Sequence, residues 1–344
     1  MTELEVTPMH TLFYQLIQKA ETKRWFLLLE QFEERQTVTA KELARRADCT
    51  SRTIQKDIKQ LKQYFEKTIR LLGNEDGFHF SFQEPTIYRQ KKQALLKTEP
   101  LFFFVDQLVQ GNSQTNQEWE EWLSLSPARF GRIKRRLIHT LETQYHVTLS
   151  GRDNQFQGTE PAIRQLMYDF YFGLPLLPKG IRRNCASDSL KSVLVRSTEW
   201  LLDPLRLKQW HQIACWRMVQ GKPLPPQKGR IPVALATAFD AQITSSLPVQ
   251  EKAALFLLSL KGEQFLSPFW QKTFIRQFSS TSEKHKPIKD VDDLTVSFLE
   301  TIVSLHCLFF PLPYPETKEG DSTEALDQTA LFEQTKHNYF AQKK

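Results

Sequence analysis

The chain has 344 residues, of which 40% are hydrophobic and 25% charged, a profile typical of a folded protein of about two to three domains. Its 25 phenylalanines against 12 glycines favour packed helices over a turn-rich β-sandwich or a glycine-lined phosphate loop. The formal net charge of +7 permits a polyanionic partner, but only a local cluster of cations can argue for one.

Neither the cysteines nor the apolar segments indicate a metal site, a secreted protein or a membrane protein. Cys49, Cys185, Cys215 and Cys307 are far apart and lack zinc-ligand or disulfide spacing. The N-terminus lacks a secretion signal pattern, and the apolar segment at residues 298–310 is too short to span a bilayer. Glycine-rich phosphate loops, HExxH and GxSxG are absent from the sequence. We therefore expect a cytoplasmic protein that has no cofactor and is not an enzyme.

Residues 22–82 carry the signals of a winged helix-turn-helix in chain order. A first helix is predicted at about residues 23–34, and Thr39 with Glu42 has capping-box spacing at the start of a short second helix. Ser51 is the expected N-cap of a third, longer helix, after which apolar and polar residues alternate about an Asn-Glu-Asp-Gly turn. This alternation predicts a hairpin where the wing of such a domain belongs.

The third helix is predicted to be a recognition helix. Its apolar residues recur at helical spacing and form one stripe that packs against the other helices. Its opposite side carries short polar groups and cations, which can reach base edges and phosphates in the major groove. The candidate DNA-binding residues on this helix are Ser51, Arg52, Thr53, Gln55, Lys56 and Lys59.

The same arrangement recurs further along the chain. One long helix is expected at residues 85–109 and a short one at 118–125, and then a long helix that Ser126 caps and Pro127 begins. A second hairpin is predicted after it, with its turn at residues 151–154. The outward side of the last helix carries a dense cationic cluster, in which the candidate DNA-binding residues are Arg129, Arg132, Arg135 and Arg136, with Lys134 beside them.

These segments resemble a known family. The run from Ser51 to Leu61, with the Glu42-Leu43-Ala44 helix before it, resembles the first helix-turn-helix of the Mga/AtxA-type virulence regulators. The second helix-turn-helix and the segment GTEPAIRQLMYDFYF resemble the continuation of that family, so the resemblance covers roughly the first half of the chain. It implies a global-type transcriptional activator that binds double-stranded promoter DNA, often by shape, with RNA polymerase as a further partner.

The C-terminal half is predicted to be helical. Thr159 is expected to cap a helix that Gly173 ends. Further helices are expected near residues 190–202, 204–220, 232–243, 248–260, 268–278 and 291–310, with linkers at 221–232 and 280–290. Helices attached to DNA-binding domains suggest homo-oligomerisation, signal sensing, or both.

In the resembled family, the C-terminal half is similar to phosphotransferase-system regulation domains, which dimerise and accept phosphate on histidine. The resemblance implies His211 as the candidate phosphorylation site, and the alternative is an ordinary histidine on a helix face. The family would continue beyond Lys344 through a second regulation domain, which leaves phosphotransferase-linked control open.

The expected fold is mainly α. It comprises two tandem winged helix-turn-helix domains at residues 1–84 and 85–158, a helical regulation-like domain at 159–288, and a partial helical domain with a polar tail at 289–344. A plasmid replication initiator is the alternative, since it too can contain tandem winged helices and would bind origin DNA. A third interpretation is a pair of protein-docking modules, although arginines are costly to bury in an interface without matching acids.

Overall fold

The computed structural model describes residues 8–35, 37–181, 200–243, 245–279 and 291–309. These residues are mainly helical, as expected, and the chain divides into two compact units. The first unit comprises Met1–Gln157 and Asp169–Arg183, and the second comprises Gly158–Tyr168 and Asn184–Lys344. No helix within the described ranges is long and apolar enough to cross a membrane.

A winged helix-turn-helix occupies the start of the first unit. Its elements are α1 (Pro8–Leu16), α2 (Ala20–Arg35), β1 (Thr37–Val38), α3 (Ala40–Arg46), α4 (Ser51–Phe65), β2 (Ile69–Asn74) and β3 (Gly77–Phe82). The strands form an antiparallel sheet in the order β1-β3-β2. The hairpin and the three-helix order confirm the prediction, whereas α1 and β1 were not predicted from the sequence.

The two caps in this domain differ in how well the sequence predicted them. The capping box at α3 is confirmed, because Thr39 N donates to Glu42 Oε2 at 2.9 Å and Glu42 N donates to Thr39 Oγ1 at 3.2 Å. The prediction that Ser51 caps α4 is wrong. The N-cap is Thr50, whose backbone is extended and whose Oγ1 accepts from Thr53 N at 3.2 Å. Ser51 is therefore already the first helical residue.

The second winged helix-turn-helix follows directly. Its elements are α5 (Pro85–Ala94), α6 (Pro100–Val109), α7 (Asn116–Trp122), α8 (Pro127–Tyr145), β4 (Thr148–Leu149) and β5 (Phe156–Gln157). The strands β4 and β5 pair antiparallel, so the second hairpin is confirmed. Phe104 of α6 contacts both Trp119 and Phe130, at ring-centroid distances of 4.9 and 5.5 Å, and so joins the three helices.

The prediction of one long helix at residues 85–109 is wrong. A 3₁₀ turn at Leu95–Thr98 ends α5, and Glu99 has an extended backbone. Pro100 begins a new helix because proline lacks an N–H for the preceding turn and disfavours helical geometry in the residue before it. Ser126 does occupy the N-cap position of α8, but its side chain forms no capping hydrogen bond.

The helix α1 and the residues after it connect the two winged domains. Phe13 of α1 contacts Phe102 of α6 with ring centroids 5.8 Å apart. The fully buried carboxylate of Glu99 accepts a hydrogen bond from Gln18 N at 2.6 Å and a longer one, 3.4 Å, from Lys19 N. Burial raises the pKa of Glu99, and the two amide donors oppose that rise. Within the first unit, the two domains are therefore in direct polar and apolar contact.

The second unit is built from helices. They are α9 (Glu160–Tyr168), α10 (Pro204–Val219), α11 (Arg230–Asp240), α12 (Val249–Ser259), α13 (Pro268–Phe278) and α14 (Val291–Phe309). The helices predicted after residue 203 agree with these bounds to within a few residues. The linker at 280–290, the tail beyond 310 and most of the helix predicted at 190–202 lie outside the described residues, and Leu202 forms a β-bridge with Leu260.

The helix predicted from Thr159 to Gly173 ends earlier than expected. Regular α-helix stops at Tyr168, and a π-helical turn follows at Asp169–Gly173. Two hydrogen bonds hold this turn within the first unit, from Tyr145 Oη to Asp169 Oδ2 at 3.0 Å and from Tyr171 Oη to Asp106 Oδ1 at 2.7 Å. These partners are remote in sequence, so a helix-stop signal could not indicate them.

Candidate nucleic-acid interface

The exposed face of α4 carries nearly all the residues singled out in the first domain. The opposite face is buried through Ile54, Ile58, Leu61 and Phe65, as the helical spacing predicted. Thr53 is half-buried, and its Oγ1 lies 3.0 Å from Thr50 Oγ1, so this hydroxyl takes part in the cap. The exposed candidates are Ser51, Arg52, Gln55, Lys56 and Lys59.

A buried ion pair that the sequence analysis missed anchors α4. Asp57 is 1% exposed and binds Arg24 of α2 through two hydrogen bonds, Nε to Oδ2 at 2.8 Å and Nη2 to Oδ1 at 3.1 Å. The hydrogen bonds to Asp57 raise the pKa of Arg24, so the guanidinium stays charged. A bidentate pair of this kind fixes both the rotation and the position of α4 against α2.

The four arginines predicted as DNA contacts on α8 are exposed. They lie opposite a buried stripe that includes Phe130, Ile133 and Leu137. Arg132 Nε donates to Ala128 O at 3.4 Å and Arg135 Nε donates to Gly131 O at 3.3 Å, so both side chains lie along the helix. The structure thus places Arg129, Arg132, Arg135 and Arg136 on one helix surface.

Lys134 does not share the exposed surface of these arginines, contrary to the sequence analysis. Its side chain is half-buried, and its Nζ donates to Asn116 Oδ1 of α7 at 2.9 Å. Burial lowers the pKa of this lysine. Lys134 is therefore on the flank of α8 that packs beside α7, where it joins the two helices of the helix-turn-helix.

The candidate cations on α4 and α8 have no acidic partner among the described residues, whereas several cations that anchor the fold do. Arg24, Lys92, Arg164 and Arg217 each bind a carboxylate within 3 Å. Among the described residues, no ion pair is formed by Arg52, Lys56, Lys59, Arg129, Arg132, Arg135 or Arg136. Uncompensated cations on two recognition helices can bind the phosphates of a nucleic acid.

The tips of the two wings differ in charge, since the first carries two acids and the second carries Arg152 beside Asp153. Glu75 and Asp76 form the tip of the first wing, where Asp76 N donates to Asn74 Oδ1 at 3.1 Å. Arg152 is exposed at the tip of the second wing. Asn154 anchors the second wing, since its Nδ2 donates to Gln114 O at 2.8 Å. Arg152 is a candidate phosphate contact that the sequence analysis missed, although its place in the predicted turn was a usable signal.

His211 lies in α10 of the second unit, away from any exposed surface. Its side chain is in contact with Cys215, with Nδ1 3.6 Å from Sγ, and the residue is 5% exposed. Burial lowers the pKa of the imidazole, which favours the neutral ring. A phosphoryl donor could reach this ring only after a local opening of the helix packing.

The comparisons with known proteins agree with this architecture. Residues 24–74 match a family described as an HTH domain, and residues 80–171 match the Mga helix-turn-helix domain. No curated protein matches the chain in sequence. The two winged folds, their cationic helices and these domain matches define a DNA-binding transcription regulator. Its tandem order of domains is that of an Mga-type regulator. Such domains are generally non-enzymatic.

Proposed function

We propose that the protein regulates transcription by binding promoter DNA with α4 and α8 together. The observation that carries this proposal is the pair of exposed, unpaired cationic helix surfaces within one compact unit. Two recognition helices held in one body can enter neighbouring major grooves if they are about one helical turn apart, roughly 34 Å. The same proposal divides the rest of the chain into a helical regulation-like domain at residues 159–288 and a partial helical domain with a tail at residues 289–344.

The two helices are proposed to do different work. On α4, Arg52 and Gln55 near the N-terminus have the donor and acceptor groups that read base edges, beside Lys56 and Lys59 for phosphates. On α8, the exposed face is dominated by arginines, which neutralise phosphates and fix the register of the protein on the duplex. Binding through α8 would therefore depend little on base sequence.

The second unit is proposed to serve homo-oligomerisation, and RNA polymerase is the expected partner of an activator. The resemblance also predicts that the protein activates transcription, that it controls virulence genes and that its helical half acts as a regulation domain. These three points stay predictions. Phosphorylation of His211 also stays a prediction, tested by phosphoryl transfer to the wild type and to His211→Ala. Labelling that survives the substitution would exclude this residue. A DNA partner accords with the cytoplasmic location expected from the sequence.

The salt dependence of DNA binding tests the proposal. Changing Arg132 and Arg135 to alanine should weaken binding to many duplexes and reduce the slope of log K against log salt by about 0.9 for each phosphate that the variant no longer neutralises. Lys179→Gln is a suitable control, because Lys179 is exposed on the first unit but lies on neither α4 nor α8. An unchanged slope in the double variant would remove α8 from the interface.

Two further measurements define the specificity and the biological target. Arg52→Ala or Gln55→Ala should change the preferred sequence more than the overall affinity, and equal losses on all duplexes would contradict a reading role for α4. Mapping of bound DNA across a genome should give promoters, whereas confinement to replication origins would favour a replication initiator.

A further inference from the structure

The second wing is short and depends on contacts outside its own strands. Its strands β4 and β5 form only the pairs Thr148↔Gln157 and Leu149↔Phe156, whereas β2 and β3 of the first wing form six pairs. A hairpin with so few pairs has little rigidity of its own. The buried Leu149 anchors the base of the wing, but the tip at residues 151–153 needs another support.

Asn154 supplies this support. Its side chain is fully buried, and its backbone has φ +59°, a left-handed conformation that asparagine tolerates better than most residues. Its Nδ2 donates to Gln114 O at 2.8 Å and to Asn116 Oδ1 at 3.2 Å. Gln114 N in turn donates to Asp153 O at 3.2 Å. The loop before α7 and the first residue of α7 therefore hold the end of the second wing.

The oxygen that holds the wing also binds the recognition helix. Asn116 Oδ1 accepts from Lys134 Nζ of α8 at 2.9 Å, in addition to its hydrogen bond from Asn154. An amide oxygen has two lone pairs, so it can accept from both donors at once. One exposed side chain of α7 therefore connects α8 to the second wing. These three residues are called here the α8–wing network.

The wing tip that this network supports carries an arginine without an acidic partner. Arg152 is exposed and forms no ion pair within the part of the chain that the structure describes. Its neighbour Asp153 instead accepts from Ser150 Oγ, and this hydrogen bond lowers the pKa of the carboxyl. Arg152 is therefore available to a phosphate in the same way as the arginines of α8.

We infer that the α8–wing network fixes the position of Arg152 relative to α8, so that the wing tip and the recognition helix bind DNA phosphates as one rigid body. This inference rests on the proposed DNA binding. Lys134, Asn116 and Asn154 are then positioning residues, and Arg152 is the residue that contacts the DNA. A tip that is held in place before binding loses less conformational freedom when it meets a phosphate, so more of the contact appears as affinity.

A cycle of double variants in DNA binding tests the inference. In the wild-type background, Arg152→Gln should weaken duplex binding and reduce the slope of log K against log salt by about 0.9, as for one phosphate. In the Asn116→Ala background, α8 and the wing lose their shared acceptor, so the same change should cost less than about half as much in log K. A larger or equal cost in that background would overturn the inference.

Two further backgrounds separate the shared oxygen from general effects of substitution. Asn116→Asp keeps an oxygen that can accept from both partners and should restore the full effect of Arg152→Gln. Asn112→Ala removes an exposed asparagine before α7 that binds Gln107 rather than the wing, and it should leave that effect unchanged. Failure of the aspartate to restore the effect, or a smaller effect in the control, would overturn the inference.

The arginines of α8 show whether the whole domain has loosened. Arg132→Gln should weaken binding equally in the wild-type and Asn116→Ala backgrounds, because α8 keeps its own buried stripe. A decrease shared by both arginine effects would mean that Asn116 serves the fold, and it would overturn the inference. No effect of Arg152→Gln in a wild-type protein that binds DNA would also overturn it, while leaving the proposed function intact. Wild-type protein that binds no duplex would overturn both.

Discussion

At the scale of single residues, the charged groups of this chain fall into two kinds. The buried Asp57 accepts two hydrogen bonds from Arg24, whose side chain is 24% exposed. Arg132 and Arg135, by contrast, reach only carbonyls of their own helix at 3.3 to 3.4 Å. The paired cations hold the fold together, and the unpaired ones remain available to a ligand.

The buried pair leads to a stability prediction. Asp57→Ala leaves Arg24 without its bidentate partner, so the free energy of unfolding should fall by about 2 to 3 kcal/mol. Chemical denaturation measures this loss. Asp76→Ala at the first wing tip removes an exposed carboxylate of the same type and should change stability by less than about 0.5 kcal/mol. A loss no larger than that of the control would mean that the pair does not anchor α4.

At the scale of elements, the recognition helix of the second domain contains a glycine with no structural need for one. A Cβ added at Gly131 would meet no atom within 4 Å, and the residue lies in the interior of α8. Glycine at a helix interior costs about 0.5 to 1 kcal/mol relative to alanine. A close approach of DNA to the α8 backbone would account for its presence.

Gly131→Ala should therefore separate folding from binding. We expect the free energy of unfolding to rise by about 0.5 to 1 kcal/mol, since alanine favours the helix. The affinity for duplex DNA should fall, because the added methyl group would stand between α8 and the duplex. Denaturation and a binding titration on the same variant measure both effects. Unchanged affinity would place this face of α8 away from the DNA.

Patterns among residues close in sequence predicted the helices and hairpins well. The same patterns could not indicate contacts between segments that are far apart in the sequence. The stripe of α4, the capping box at Thr39 and both hairpins depend on residues close in sequence. Strand β1 is only two residues long and exists because β3 pairs with it. Pro100 was a readable signal for the break before α6, but the apolar run around it favoured one helix.

The same distinction applies to the candidate site. Periodicity placed the arginines of α8 on an exposed face, yet it also placed Lys134 there, because spacing along one helix does not show which flank a neighbour covers. Asn116 of α7 takes up that lysine. The approach of Gln18 to Arg136, with Oε1 and Nη1 3.5 Å apart, depends on how α1 packs on α8, and no local pattern of residues encodes that packing.

At the scale of the whole molecule, the second unit has its own buried charge cluster. Glu251 is fully buried and binds Arg164 Nη1 and Nη2 at 2.6 and 2.9 Å, and it also accepts from Leu224 N at 2.8 Å. Glu160 contacts both Arg164 and Arg217, so the cluster joins α9, α10 and α12. Removing one partner of such a buried pair leaves a desolvated charge unpaired and strongly destabilises the fold.

Removing Glu251 should test whether the two units are independent in stability. Glu251→Ala is expected to cost about 3 to 5 kcal/mol, because Arg164 would keep a buried charge without its main partner. Hydrogen exchange should show lost protection in α10 and α12, with α4 and α8 preserved. Lys252→Ala, on the same helix as Glu251, breaks a more exposed pair with Asp240 of α11 and should cost less than about 1 kcal/mol. Equal loss of protection in α4 would show that both units unfold together.

One position in the first wing constrains how this domain can diverge. Gly77 has φ +128°, and a Cβ there would lie 2.7 Å from Val38 O. Any nucleotide change in its codon that alters the residue would push β1 off the sheet or force the turn into a strained backbone. The wing can therefore diverge at other positions but must keep glycine at residue 77. In a library of variants at this site, only the members that keep glycine should fold.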